Sequence, residues 1–100
     1  MEKTFHLFQE HQKARFPDAT KGKRIYGIDL VTLDADTNGC IDNYFDESGK
    51  STLLDPKKFK VLSRCRAELF LVLKELEGDG REYFQRLLQI ASGILEEQEK

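Results

Sequence analysis

The sequence predicts an all-α fold, a small helical bundle with a C-terminal antiparallel helix hairpin in which residues 56–77 pack against residues 80–97. Two observations support this prediction. Apolar residues recur at helical spacing along both stretches, and only about three residues separate them, a connection typical of antiparallel neighbours. Because 100 residues hold one core of useful size, we expect residues 1–100 to form a single helical domain.

The first hairpin helix has a well-marked start. Asp55 is a good N-cap, and Pro56 stands at the first helical position. Leu54 and Phe59 occupy the two positions of a hydrophobic staple. The apolar stripe that follows is Leu62, Cys65, Leu69, Val72 and Leu76, widened by Phe59, Phe70 and Leu73. Since residues 69–73 are apolar nearly all round, we expect this helix to be the central one, covered on more than one side.

The second hairpin helix follows a break at residues 78–80. Asp79 is the predicted N-cap, with Glu82 at the matching position of a capping box. The predicted core face consists of Phe84, Leu87, Leu88, Ala91, Ile94 and Leu95. Ser92 and Gly93 are small, so we expect another element to approach this helix closely there.

The N-terminal half is less regular. The apolar spacing of residues 3–14 predicts a short amphipathic helix that lies across the bundle. Residues 18–24 are predicted to form a loop. The stretch from Ile25 to Thr32 is rich in residues with strand propensity. A strand over residues 25–31 would need a second copy of the chain as its partner, because no other strand is predicted. Both a monomer and a homodimer are therefore open.

A helix near residues 28–47 separates the apolar from the polar residues of this segment more cleanly than a strand does. It places six residues on one face, which are Leu30, Leu33, Thr37, Cys40, Ile41 and Tyr44. Against it, five residues of this segment are poor helix formers that together destabilise a helix by roughly 3 kcal/mol relative to alanine, namely Asp34, Asp36, Thr37, Asn38 and Gly39. A bend near Gly39 is an alternative, and Ser48 with Gly49 is expected to end the segment.

Charge is unevenly distributed along the chain, and this distribution limits the classes of partner that we expect. Residues 1–28 carry a net charge of +3, residues 29–55 carry −6 and residues 56–100 carry +1. The acidic middle argues against nucleic acid and favours a cation or a basic protein surface. The sequence has no apolar run long enough to span a membrane and no signal-peptide pattern, so we expect a cytoplasmic protein without a membrane partner. Cys40 and Cys65 are expected to be buried, reduced thiols.

Residues 34–42 resemble the calcium loop of an EF-hand. Side-chain oxygens fall at loop positions one, three, five and nine, and glycine falls at position six. The resemblance implies that the calcium ligands are Asp34, Asp36, Asn38, Asp42 and the carbonyl of Cys40. Position twelve should supply a bidentate glutamate but is Phe45, so any calcium site should be weak.

A second resemblance covers roughly residue 28 to the end of the chain. The segment Leu33-Asp34-Ala35-Asp36-x-x-Gly39-Cys40, followed by an apolar-aromatic turn and two long helices, is similar to an uncharacterised family of short bacterial proteins. The family carries no known activity. The resemblance implies that Asp34, Asp36 and Gly39 form a recurring unit, in which the carboxylates cap or bind within the bundle and the glycine lets a helix approach.

Other motifs are less informative. Residues 49–52 match the end of a phosphate-binding loop, but the earlier glycine that this motif requires is Tyr44. His6 and His11 are five residues apart, which favours two surface histidines over a metal-binding pair. The basic residues from Lys13 to Arg24 are expected to form a solvated loop.

No catalytic constellation stands out, so the expected function is a small non-enzymatic module that binds or regulates another protein. One alternative is weak calcium binding by residues 34–42, with no other cofactor expected. A second alternative is an enzyme with a carboxylate site between helices, formed by Asp29, Asp34 and Asp36.

Overall fold

The structure is a computed structural model that describes residues 2–46 and 49–99. Within these residues, the chain forms α1 (Glu2–Gln12), a 3-10 turn (Asp18–Thr20), β1 (Arg24–Ile25), β2 (Ile28–Asp29), α2 (Leu30–Tyr44), α3 (Pro56–Leu73) and α4 (Gly78–Glu99). The all-α prediction is confirmed. None of the described helices is long and apolar enough to cross a membrane. Glu47 and Ser48, where the segment around α2 was predicted to end, lie outside the described residues.

The central helix is α4, so the prediction that α3 is central is wrong. Helices α1, α2 and α3 all pack on α4. The buried residues of α4 are Gly80, Tyr83, Phe84, Leu87, Ile90, Ala91, Ile94 and Leu95. On α3, Phe70 remains 60% exposed and Leu71 43% exposed, because α1 packs on α4 and leaves the outer face of α3 uncovered.

The C-terminal hairpin is antiparallel, as predicted. Leu54, just before α3, meets Gln98, near the end of α4. The backbone N–H of Leu54 donates to Oε1 of Gln98 at 2.9 Å, and Nε2 of Gln98 donates to the carbonyl of Leu54 at 3.1 Å. Asp55 caps α3 by accepting from the backbone N–H of Lys58 at 2.8 Å, which confirms the predicted start.

The turn between α3 and α4 differs from the prediction. Helix α3 ends at Leu73 rather than at residue 77, and α4 begins at Gly78. Two bonds of i to i+3 type tighten the end of α3, and Nη1 of Arg81 donates to the carbonyl of Leu73 at 2.6 Å. Because α4 begins at Gly78, Asp79 lies inside its first turn and is not its N-cap. Gly78 itself has a φ of +57°.

Helix α2 is continuous through Gly39, and its buried face consists of the six residues predicted for it. Asp29 caps it by accepting from the backbone N–H of Thr32. Its poor helix formers bond back to the carbonyl four residues earlier. Thr37 donates to Leu33, Asn38 to Asp34 and Asn43 to Gly39. These bonds satisfy the polar side chains without interrupting the helix.

The segment before α2 contains two strands that pair with each other. Ile25 pairs with Ile28, and the turn between them has a φ of 55° at Tyr26 and 77° at Gly27. Positive φ at both central residues is typical of a two-residue hairpin turn. The strand interpretation therefore needs no second copy of the chain. The prediction treated residues 25–31 as one strand and overlooked this turn.

Helix α1 is held against α4 by a close contact at Gly93, which confirms the predicted close approach. A Cβ atom on Gly93 would lie within clashing distance of the Thr4 side chain. At the start of α1, the rings of Phe5 and Phe8 pack on Phe45 with centroid distances of 5.2 and 5.5 Å. Gly39, in contrast, has open space around it, so it does not let a helix approach as predicted.

Two glycine-to-alanine substitutions should therefore have opposite effects. Gly93→Ala pushes Thr4 and α1 away, and we expect the free energy of unfolding to fall by about 1–3 kcal/mol. Gly39→Ala adds a methyl group in open space on α2, and we expect a gain of about 0.5–1 kcal/mol from helix propensity. Urea denaturation of both variants tests this. Equal effects of the two substitutions would contradict the close packing at Gly93.

Candidate functional site

Asp34 binds across the bundle to α4. The hydroxyl of Tyr83 donates to Oδ1 of Asp34 at 2.7 Å, and Nδ2 of Asn38 donates to the same oxygen at 2.9 Å. Burial raises the pKa of Asp34 above its ordinary value, and the two hydrogen bonds oppose that rise. Burial and the nearby carboxylate raise the pKa of Tyr83, so this hydroxyl keeps its proton and acts as a donor.

Asp36 binds a different helix. Its Oδ2 accepts from Nη2 of Arg64 on α3 at 2.9 Å, and Nε of Arg64 lies 3.9 Å from Oε1 of Glu68. The side chain of Asp29 hydrogen-bonds only within the first turn of α2 in the described structure, where its Oδ2 accepts from the backbone N–H and from the hydroxyl of Thr32. The three carboxylates proposed for an enzyme site thus do not converge. Asp29 and Asp36 border a polar depression beside Arg64, whereas Asp34 contacts Tyr83.

The predicted calcium ligands lie on a regular helix and not in a loop. Residues 34–42 all belong to α2, where positions two residues apart point to different sides. Asp34 and Asn38 bond to each other, while Asp36 pairs with Arg64. No group of three His, Cys, Asp or Glu side chains in the described part of the chain is placed to hold a metal ion. Calcium binding by Asp34, Asp36, Asn38 and Asp42 stays a prediction from sequence.

His11 is buried, so the prediction of two surface histidines is wrong for this residue. Nε of Arg86 donates to Nδ1 of His11 at 3.0 Å, which places the proton of the neutral ring on Nε2. That Nε2 is buried and has no hydrogen-bond partner within residues 2–46 and 49–99. Burial, and secondly the charge of Arg86, lower the pKa of His11 to about 4.

The Asp34–Tyr83 pair and the His11–Arg86 pair meet where the rings of His11 and Tyr83 contact each other. The rings of His11 and Tyr83 are 4.4 Å apart, and Phe16 packs edge-on against Tyr83 at 5.5 Å. This cluster of Asp34, Tyr83, His11 and Arg86 joins α1, α2 and α4 through polar contacts in a largely buried position. At neutral pH the histidine is neutral and the tyrosine is protonated, so the arrangement mainly fixes how the three helices pack.

Asp34 and Asp36 stand out in the sequence, but their partners do not. Tyr83 shares a 4-3-4 spacing with Leu87, Ile90 and Ile94, a stripe as regular as the one that was chosen. His11 follows Phe8 by three residues, which places both on one face of α1. These spacings could have predicted that Tyr83 and His11 face the core. No local spacing predicts the bonds of Arg64 and Arg86, because their partners are 28 and 75 residues away.

The thiols are buried and free, as expected. Cys40 and Cys65 are both inside the core, and burial raises the pKa of each. A thiol with a raised pKa is mostly protonated at neutral pH and is a poor nucleophile. They act as small apolar side chains between α2 and α3.

An apolar groove lies between α3 and α4 on the outside of the hairpin. Its lining is Ser63, Arg66, Ala67, Phe70, Leu71, Leu88 and Ser92. Phe70 and Leu71 are the most exposed apolar side chains in it. Sequence analysis assigned Phe70 and Leu88 to buried faces, so this surface could not be anticipated from the predicted core.

Comparison with known proteins gives no family assignment. No protein-family model matches the chain. No curated protein and no solved structure matches it at a significant level. The resemblances to an EF-hand loop and to the uncharacterised bacterial family therefore stay predictions from sequence.

His11 should make stability depend on pH. Its folded pKa of about 4 lies below the ordinary 6.5, so the unfolded chain binds more protons between these values. Stability is full above pH 6.5 and falls as the pH drops towards 4, by up to about 3 kcal/mol. Urea denaturation at several pH values measures this. His11→Gln should remove that part of the pH dependence, whereas His6→Gln, an exposed control, should retain it. Identical pH profiles for both variants would contradict the role of His11.

The two tyrosine–carboxylate hydrogen bonds offer a matched comparison. Tyr83 bonds to half-buried Asp34, and Tyr26 bonds to Glu75 on the surface, each at 2.7 Å. Tyr83→Phe leaves a partly desolvated carboxylate with one donor fewer, and we expect a loss of about 1–2 kcal/mol in the free energy of unfolding. Tyr26→Phe should leave stability unchanged, because water replaces the lost donor. Denaturant titration of both variants measures these changes in the free energy of unfolding. Equal losses in the two variants would show that the burial of Asp34 is unimportant.

Proposed function

We propose that this protein is a small non-enzymatic module that binds another protein through the groove between α3 and α4. The observation that supports this most is the exposure of Phe70 and Leu71 beside Ala67 and Leu88. A bundle of this size could bury Phe70 against α1, yet α1 packs on α4. Contiguous apolar surface that a fold leaves uncovered is typical of interaction sites.

The arrangement of the groove supports binding to a protein surface. Aromatic side chains and arginine are enriched at protein interfaces. Phe70 and Arg66 supply these residue types in the groove, and Leu71 adds exposed apolar surface beside them. The hairpin that carries them is rigidly held, because Leu69, Val72 and Leu73 of α3 are buried against the core.

The acidic segment is a weaker candidate for the partner surface. Sequence analysis favoured a basic partner for residues 29–55. Several carboxylates there are bound within the chain, because Asp29 caps α2, Asp34 binds Tyr83 and Asp36 binds Arg64. These bonds occupy oxygens that a basic partner would otherwise contact, and the ion pair with Arg64 offsets the charge of Asp36. A cytoplasmic location belongs to the same proposal, and the free thiols of Cys40 and Cys65 support it.

Substitution of one groove residue tests the proposal. Phe70→Glu places a charge in the apolar groove, and we expect immobilised variant protein to lose a specific partner that the wild type retains from lysate of its own host. Leu53→Glu is the matched control, since Leu53 is 77% exposed and lies outside the groove. It should retain the partner. Both variants should keep wild-type stability within about 0.5 kcal/mol, because both sites are at the surface.

Two results would contradict the proposal. One is equal retention of the partner by the wild type and both variants, which would locate binding elsewhere. The other is the absence of any specific partner for a purified protein that turns over a substrate, which would favour the enzyme alternative.

A further inference from the structure

The groove between α3 and α4 combines an apolar floor with positive charge. Arg66 lines it, and Nζ of Lys74 lies 5.4 Å above the centre of the Phe70 ring. No carboxylate is among the lining residues Ser63, Arg66, Ala67, Phe70, Leu71, Leu88 and Ser92. A partner that buries Phe70 therefore brings its own side chains close to two cations.

Positive charge beside apolar surface is also found along α3 towards its first turn. A neighbouring depression between the start of α3 and the end of α4 is lined by Leu54, Pro56, Lys57, Phe59, Lys60 and Gln98. Lys60 precedes Ser63 by three residues and so lies in the same row on the helix surface. Lys60 thus adds a cation at the end of the groove opposite Lys74.

Two acidic residues, Glu68 on α3 and Glu75 in the turn after it, are paired with residues outside the groove. Glu68 is beside Arg64 in the polar depression next to α2, and Glu75 accepts the hydroxyl of Tyr26. On α4, Glu96 and Glu99 follow Ser92 by about one and two turns and lie towards the chain end. Complementary negative charge on a partner is therefore favoured near Arg66 and Lys74, at the end of the groove away from Glu96.

A second copy of this chain is a poor occupant of the groove. A two-fold contact places the same patch of both copies face to face. Arg66 and Lys74 of one copy would then lie close to Arg66 and Lys74 of the other, with no lining carboxylate to compensate. Like charges placed opposite each other at an interface disfavour that pairing.

The position of the groove between two antiparallel helices favours an α-helix as the occupant. The strands β1 and β2 have two residues each, so the described sheet offers no edge to which an extended peptide could add. A groove between two antiparallel helices takes an amphipathic helix, which places apolar side chains three and four residues apart along the floor.

We propose that the groove binds a short amphipathic helix of another protein, with leucine-type side chains on one face and Asp or Glu beside them. This inference rests on the proposed function and adds the chemistry of the partner. Phe70, Leu71, Ala67 and Leu88 contact the apolar face of that helix. Arg66 and Lys74 contact its carboxylates at the rim.

Three labelled synthetic peptides test the inference. All have the same leucines at positions i, i+3, i+4 and i+7 of a helical 18-residue sequence, and their flanking residues are Glu, Gln or Lys. We expect the Glu peptide to bind roughly tenfold more tightly than the Gln peptide and more tightly still than the Lys peptide. The difference should shrink at high salt, because exposed charges are screened. Fluorescence anisotropy measures all three affinities.

Charge reversal in the full chain gives a matched pair of variants. Arg66→Glu with Lys74→Glu should reverse the preference, so that the Lys peptide binds better than the Glu peptide. Lys13→Glu with Lys23→Glu reverses two exposed cations outside the groove and should leave the preference unchanged. Phe70→Glu should abolish binding of the Glu peptide.

The outcomes separate this inference from the proposed function. If no peptide binds while Phe70→Glu still abolishes retention of a cellular partner, the proposed function stands and the acidic helix is wrong. Equal binding of the Glu and Lys peptides overturns the charge preference in the same way. A concentration-dependent dimer in sedimentation velocity that Phe70→Glu removes would assign the groove to a second copy and overturn the inference. Absence of peptide binding together with unchanged partner retention by Phe70→Glu overturns both.

Discussion

Helix α4 has to bury its surface on several sides, and the positions of the other three helices follow from this requirement. Its apolar residues cover too wide an arc for one neighbour, so α1, α2 and α3 each cover part of it. Gly93 allows the close approach of α1, because it lies next to Thr4. Gly80 lies close to the methyl group of Thr20 in the 3-10 turn. With three helices committed to α4, the outer face of α3 is left without a cover, and the groove with Phe70 is the result.

Local signals in the sequence predict the helices well. Asp55 and Pro56 mark the start of α3, and the six-residue apolar face of α2 is recovered in full despite poor helix propensity. The reason is that capping and facial burial act within one helix, where spacing alone decides which residues lie together. The end of α3 and the tight hairpin at Tyr26 and Gly27 depend on bonds made in the folded turn, such as that of Arg81, and are less visible.

The candidate site could be located only in part. The conflict between propensity and facial pattern pointed to residues 34–39, and Asp34 and Asp36 do bind the neighbouring helices there. Their partners could not be predicted, because Tyr83 is 49 residues from Asp34 and nothing in spacing indicates which faces meet. The same limit applies to the groove. An apolar residue such as Phe70 has the same local pattern whether another helix covers it or not.

Helix α1 differs from the other three in how it is attached, and this has a consequence for the motions of the molecule. It packs mainly on α4, with Phe45 as a further contact, whereas α2, α3 and α4 each pack on one another. Release of α1 alone therefore leaves a three-helix core with most of its contacts intact. In native-state hydrogen exchange we expect such a helix to open as its own cooperative unit, at a lower free energy than global unfolding. While open, it uncovers Tyr83 and Gly93 and gives solvent access to a face of α4 that is otherwise closed.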